Sequence, residues 1–232
     1  AHASIDGVAR LMPAGAGRLM QRELEALDHA LNNPTHPVAA IVGGNKISTK
    51  LAVLENLIGK VDHLIVGGAM ANTFLYASGI SVGSSLCEKD MAVTARNIVE
   101  KAKNYNCEIH LPVDAVVSSE LKDGITSSIV SIDAIPPEKM ALDVGPDTAE
   151  NIGILLDTCK TLVWNGPLGA FEFKPFDAGT NAVAKAAARF TAAGKLLTVA
   201  GGGDTMSALE NAGVTDSFTY ISSAGGAFLE WL

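Results

Sequence analysis

Lys46 and Lys50 stand four apart directly after a glycine pair, in Gly43-Gly44-Asn45-Lys46-Ile47-Ser48-Thr49-Lys50. Where a strand hands over to a helix, that spacing predicts two ammonium groups projecting from one face. The run Gly201-Gly202-Gly203-Asp204-Thr205 is expected to open a second helix. A helix start carries free N–H groups and the positive end of the helix dipole. Asn165-Gly166-Pro167-Leu168-Gly169-Ala170-Phe171-Glu172 forms a third candidate segment, a turn followed by a carboxylate able to accept hydrogen bonds from a ribose. Cations, exposed amides and a carboxylate suit a phosphorylated ligand. Mg²⁺ takes carboxylates together with substrate phosphates, and Asp204 is the carboxylate that would hold it. Each segment also has a plainer reading: a solvated lysine face, a helix cap, a structural turn.

The elements that must position these residues recur along the chain. Short β-rich runs end in glycine or proline turns: 38–42 before Gly43-Gly44, 63–66 before Gly67-Gly68, 108–111 before Pro112, 161–164 before Asn165-Gly166-Pro167, 196–200 before Gly201-Gly202-Gly203, and 218–221 ahead of Gly225-Gly226. These runs are almost continuously apolar, the pattern of parallel strands covered on both faces. Helical stripes alternate with them: Leu19 to Leu31, Ile47 to Ile58, Met91 to Ala102, a start at Asp147 and Glu150 leading to Cys159, and Val183 to Phe190. The stripe from Leu19 to Leu31 is expected to be core. The stretch from about Leu121 to Met140, with Val130, Ile132 and two prolines, predicts a small strand pair or a long loop. The alternation gives an α/β fold, a doubly wound parallel β-sheet flanked by helices on both faces. In such sheets ligands bind beyond the carboxyl ends of the strands, where the glycine clusters fall. A glycine lets backbone N–H groups approach an anion closely. One Gly-Gly pair is weak evidence; four on one edge carry more weight.

Composition narrows the functional classes. The 232 residues hold 17 Lys+Arg against 25 Asp+Glu, a net charge of −8, which opposes a nucleic-acid-coating surface. No apolar run approaches the roughly 18–20 residues of a membrane span. Cys87, Cys107 and Cys159 are widely spaced and odd in number, so they read as reduced, half-buried thiols of a cytoplasmic protein. His2, His29, His36, His63 and His110 show no metal-ligand spacing. A P-loop motif is absent. In Gly201-Gly202-Gly203-Asp204-Thr205-Met206 a methionine stands where the last glycine of a dinucleotide fingerprint belongs, which weakens a Rossmann-type oxidoreductase reading.

Taken together, the segments resemble the phosphoglycerate kinase family, specifically its C-terminal, nucleotide-binding domain of bacterial type. The resemblance rests on Ala1-His2-Ala3-Ser4, Val42 to Lys50, Val66-Gly67-Gly68-Ala69-Met70-Ala71-Asn72-Thr73-Phe74, Leu111-Pro112-Val113-Asp114, Leu142-Asp143-Val144-Gly145-Pro146, Trp164 to Glu172, Gly201 to Thr205, and Ile221 to Ala227. Eight segments in the family's order are a specific signal. The resemblance implies reversible phosphoryl transfer between 1,3-bisphosphoglycerate and ADP, giving 3-phosphoglycerate and ATP in glycolysis, with Mg²⁺. It implies a monomer, with residues 1–16 an interdomain connector and residues 17–232 the Mg-ADP/ATP-binding domain. The phosphoglycerate-binding N-terminal domain is expected to lie outside this chain, leaving the chain inactive alone.

The resemblance also implies roles. Lys50 contacts nucleotide phosphates and Lys46 stabilises the transferring phosphoryl group. Gly43, Gly67, Gly68 and Leu142 line the adenine pocket; Asn165 and Pro167 contact the nucleotide; Glu172 binds the ribose. Gly202 and Gly203 offer backbone N–H groups, Asp204 holds the metal and Thr205 supports the phosphates. Gly225 and Gly226 open the last helix towards the transferring group. Ala69 and Ala224 depart from the family, which often has glycine at those positions, and Asn45 replaces a commoner small residue. The alternative expectation is a stand-alone nucleotide-binding module without turnover.

Overall fold

The computed structural model describes residues 7–13, 15 and 17–222. In chain order its strands are β1 (Val38–Val42), β2 (His63–Val66), β3 (Glu108–His110), β4 (Asp114–Ser118), β5 (Ser128–Ser131), β6 (Met140–Val144), β7 (Thr161–Asn165), β8 (Leu197–Gly201) and β9 (Tyr220–Ser222). The helices are α1 (Val8–Leu11), α2 (Arg18–Leu27), α3 (Leu51–Leu57), α4 (Gly68–Ala77), α5 (Ala92–Asn104), α6 (Pro146–Thr158), α7 (Ala178–Ala192) and α8 (Gly203–Ala212).

Six strands pair in parallel in the order β3-β2-β1-β7-β8-β9. The expected doubly wound sheet is therefore present. β1 is buried along its whole length because alternate residues enter opposite cores. Val38, Ala40 and Val42 pack with residues of α3, α4 and α5. Ala39 and Ile41 pack with residues of α6, α7 and α8. The amphipathic spacing read in the sequence reappears in α5, whose buried face is Ala92, Ala95, Ile98 and Ala102.

Three elements differ from expectation. The stripe from Ile47 to Ile58 becomes helical only at Leu51; Lys50 has φ −122° and residues 48–50 form a turn. Lys46 and Lys50 therefore do not share a helix face. The expected strand pair near Val130 is a three-stranded antiparallel sheet, β5-β4-β6, that also recruits 114–118 and 140–144. In the stripe from Leu19 to Leu31, Met20 is exposed and Leu24 half-buried, whereas Ala30 is buried; the side chains of Leu19, Leu27 and Leu31 lie outside those described. α2 instead reaches β9 through Glu23, which accepts hydrogen bonds from the hydroxyls of Tyr220 and Ser222.

Candidate functional site

β1 and β7 are the adjacent strands from which the sheet order runs in opposite directions, so a crevice opens beyond their carboxyl ends. The glycine turns after β1, β2, β7 and β8 all lie on that edge. They are stitched together by their own amides: Gly43 N–H donates to Asn165 O (2.9 Å), Gly67 N–H to Val42 O (3.0 Å), Gly68 N–H to Leu168 O (2.9 Å) and Met70 N–H to Gly44 O (2.9 Å).

This packing gives several glycines a different reason from the one inferred above. A Cβ on Gly43 would lie 1.8 Å from Pro167 O, and one on Gly67 2.4 Å from Leu168 Cδ2. Gly68 adopts φ +65°, and a Cβ there would meet Gly44 O at 2.7 Å. At these positions the missing Cβ makes room for neighbouring chain. Gly203 is different: among the described residues nothing lies within 4 Å of where its Cβ would stand. It opens α8, whose first intrahelical backbone donor is Met206 N–H to Gly202 O (3.0 Å). The amides of Gly203, Asp204 and Thr205 precede that bond, as at any helix start. Gly202 holds the turn at φ +99°, a region that favours glycine.

Lys50 lies beneath this rim. Its Nζ donates to Gly43 O (2.6 Å), Asn165 Oδ1 (2.6 Å) and Asn165 O (3.3 Å), which occupies all its protons. Burial lowers the ammonium from 10.5 to about 8, with the Asp204 carboxylate pulling the other way. Asn165 is buried, and its amide also donates to Gly201 O (2.8 Å), so one side chain ties β1, β7 and β8 together. Thr205 completes the stitch: its hydroxyl accepts from Gly166 N–H (2.7 Å) and donates to Gly201 O (2.8 Å). Trp164, fully buried, donates its indole N–H to Gly166 O (2.8 Å) and fixes the turn that carries Pro167.

Lys46 is exposed, in the loop above Lys50. That loop is held by a residue the sequence reading did not single out. The Glu88 carboxylate accepts from Ser48 N–H (3.1 Å) and Ser48 Oγ–H (2.5 Å). The Glu88 amide in turn donates to Thr73 Oγ1 on α4 (3.0 Å). Burial acts to raise the Glu88 carboxyl, but the bonds from Ser48, with the Lys46 charge, bring it below its ordinary value. Nothing in the local sequence links positions 48 and 88; only the fold brings them together.

A cleft of about 360 Å³ lies between this rim and the small sheet. Gly44, Gly68 and Asp204 border one part, and Leu142, Pro167 and Glu172 another. Gly43, Gly67 and Lys50 stand behind its wall. Ala69 lines the cleft, so the Ala-for-Gly departure falls on the wall itself. Asp204 and Glu172 are exposed, and among the described residues neither carboxylate accepts a hydrogen bond. For Asp204 this disfavours the plain helix-cap reading. Asp143, on the same wall, is buried and accepts from Val144 N–H (2.9 Å) and Gly179 N–H (2.7 Å). Burial pushes its carboxyl well above the usual range, against those two donors. The Asp143 carboxyl fills the space beside Gly169, where a Cβ would come within 2.1 Å of it. Gly225, Gly226 and Ala224 lie outside the described residues.

The family model for phosphoglycerate kinase matches residues 1–232. The phosphoglycerate kinase of Jannaschia sp. (strain CCS1) is 59% identical over the whole chain, which covers 59% of that protein. That of Methylorubrum populi is also 59% identical, with 58% of its length covered. Among solved structures, the phosphoglycerate kinase of Coxiella burnetii superposes with a TM-score of 0.89 at 47% identity, over 93% of this chain and 55% of the other. The Pyrococcus horikoshii enzyme gives 0.81 at 30% identity, over 98% and 56%. The chain thus spans a little over half the length of the relatives it matches. Matched from end to end in sequence and closely in fold, the chain belongs to the phosphoglycerate kinase family.

Proposed function

We propose that this chain supplies the Mg-ADP/ATP-binding half of a phosphoglycerate kinase, which moves a phosphoryl group between 1,3-bisphosphoglycerate and ADP. One observation carries the reading above the others: a single cleft at the strand-order switch joins an apolar wall with an exposed carboxylate, Leu142 and Glu172, to the exposed carboxylate of Asp204 in the first turn of α8. Its volume falls in the range of small-molecule sites. The adenine would lie against Gly68, Ala69 and Leu142, with the ribose hydroxyls on Glu172 and the chain passing Pro167 towards the start of α8.

Phosphoryl transfer needs positioning and charge neutralisation more than covalent chemistry. The amides of Gly203, Asp204 and Thr205 would bind phosphate oxygens, aided by the helix dipole. Lys46 is free to swing onto the transferring group. Lys50 lends its charge from beneath the rim, and reaches a phosphate by trading away one of its bonds to Gly43 or Asn165. Asn165 and Thr205 act as positioning residues that hold the rim. Mg²⁺ fits this donor set: Asp204 would hold it, and it would offset phosphate charge. Gly225 and Gly226 are proposed to face the transferring group. The phosphoglycerate contacts are assigned to the further length that the relatives possess, and the whole protein to a cytoplasmic monomer.

Calorimetry tests this directly. Mg-ADP is expected to bind the protein at one site. The 232-residue chain, given Mg-ATP and 3-phosphoglycerate, is expected to release almost no ADP. No heat with adenine nucleotides would overturn the site; full turnover would overturn the assignment of the acceptor contacts to residues beyond this chain.

A further inference from the structure

His63, Glu108 and His110 meet on the edge pair β2–β3 of the parallel sheet, and none of the three lines the nucleotide cleft. β2 and β3 pair with His63 opposite Glu108 and Ile65 opposite His110. Side chains two apart on a strand share a face, so the register gathers all three. His63 Nδ1 lies 3.1 Å from His110 Nε2, and each is 3.6 Å from Glu108 Oε2.

This triangle is poorly explained by hydrogen bonding. One imidazole proton can serve the contact between the two rings. The carboxylate stands beyond hydrogen-bond reach of both nitrogens, yet within a few ångströms of each. Three basic atoms therefore converge on one point. Ligand atoms placed roughly 2.0–2.2 Å from a tetrahedral zinc sit about 3.3–3.6 Å from one another. The observed edges nearly match one face of such a tetrahedron. The rings are mostly covered, with 20% and 27% of their side chains exposed, whereas Glu108 is 68% exposed and leaves an entry from solvent. Asp62, beside His63, adds negative charge; it is itself engaged by His36 Nδ1 and Val38 N–H, both at 2.6 Å, and so is not a competing ligand.

We propose that His63, Glu108 and His110 form a binding site for a divalent first-row transition ion, Zn²⁺ fitting best, with water in the fourth position. Two imidazoles and one carboxylate are a zinc donor set, whereas Mg²⁺ prefers oxygen alone. This site is separate from the metal that accompanies the nucleotide. Bound there, the ion would pin the edge strand β3 to β2.

Zinc titration of the purified, metal-stripped protein tests the site. One equivalent is expected to bind, undisturbed by excess Mg²⁺. It should raise the melting temperature by roughly 5 °C or more when free zinc exceeds Kd about a hundredfold. His63→Ala, His110→Ala and Glu108→Gln should each weaken binding by at least about tenfold. His36→Gln and Cys87→Ser should leave it unchanged. Glu108 is mostly exposed, so Glu108→Gln keeps the fold and decides the question even if a histidine variant is unstable. Absence of zinc binding, unchanged affinity in Glu108→Gln, or a thiolate-to-metal absorption band with Co²⁺ would overturn the proposal.

Discussion

The Lys50 ammonium and the Asn165 side-chain oxygen lie 2.6 Å apart, although 115 positions separate them in the chain. This bond fastens the turn after β1 to the end of β7, and through the Asn165 amide to β8. Asn165→Ala should therefore leave Lys50 short of one acceptor and Gly201 O with one donor fewer, the Thr205 hydroxyl remaining. The expected loss is about 1–3 kcal/mol of stability, with weaker Mg-ADP binding because the rim loosens. Urea unfolding and calorimetry measure both; a fully stable variant with normal affinity would show that the stitch does not hold the site.

The charge of Lys50 should make the site sensitive to alkali. Its folded value, about 8, lies below the ordinary 10.5, so between these the unfolded chain binds more protons than the folded one. The penalty for burying the ammonium is present below about pH 8 and is relieved as pH rises towards 10.5. Phosphate beside Lys50 would favour the charged form. Mg-ADP binding near pH 8.5 is therefore expected to take up a fraction of a proton and to weaken as pH rises further. Calorimetry in buffers of different ionisation enthalpy reads that proton; release instead of uptake would contradict the assignment.

Two glycines on the same rim should respond oppositely to alanine. In Gly43→Ala the added methyl would sit 1.8 Å from Pro167 O, so backbone must move and a loss beyond about 3 kcal/mol is expected. In Gly203→Ala nothing among the described residues lies within 4 Å, so the fold should hold or gain about 0.4–1 kcal/mol. Mg-ADP affinity should still fall in Gly203→Ala if phosphate approaches that amide. Thermal melts with and without nucleotide separate the two effects.

Asp204→Asn should leave stability nearly unchanged, since the carboxylate accepts no hydrogen bond among the described residues. Mg-ADP should bind more weakly, while ADP without metal should bind as well or better because a negative charge near the phosphates is gone. Equal Mg-ADP affinity in both proteins would return Asp204 to an ordinary first-turn residue.

Much of the fold is legible because parallel strands covered on both faces are apolar throughout, as at Val38–Val42 and Thr161–Asn165. α4 escapes such reading. Met70, Ala71, Asn72, Thr73, Phe74 and Leu75 are all buried, so no polar face marks a period. The turn at 48–50 is hidden for another reason: Ile47 is buried although it precedes the helix, and it extends the apolar spacing by a turn. For the site, local sequence marks Gly203 and Asp204, because a helix start is a local event.

By itself the sequence determined the strand–turn–helix alternation, the glycine turns and the family, since these rest on residue types and their order along the chain. Tertiary structure alone decided which glycines make room for chain and which do not among the described residues, that Lys50 sits under the rim while Lys46 is exposed, and that Glu88 holds the Ser48 loop. It also decided that His63, Glu108 and His110 meet. Each of these depends on the register and crossing of segments far apart in the chain, and local spacing carries no record of such distances.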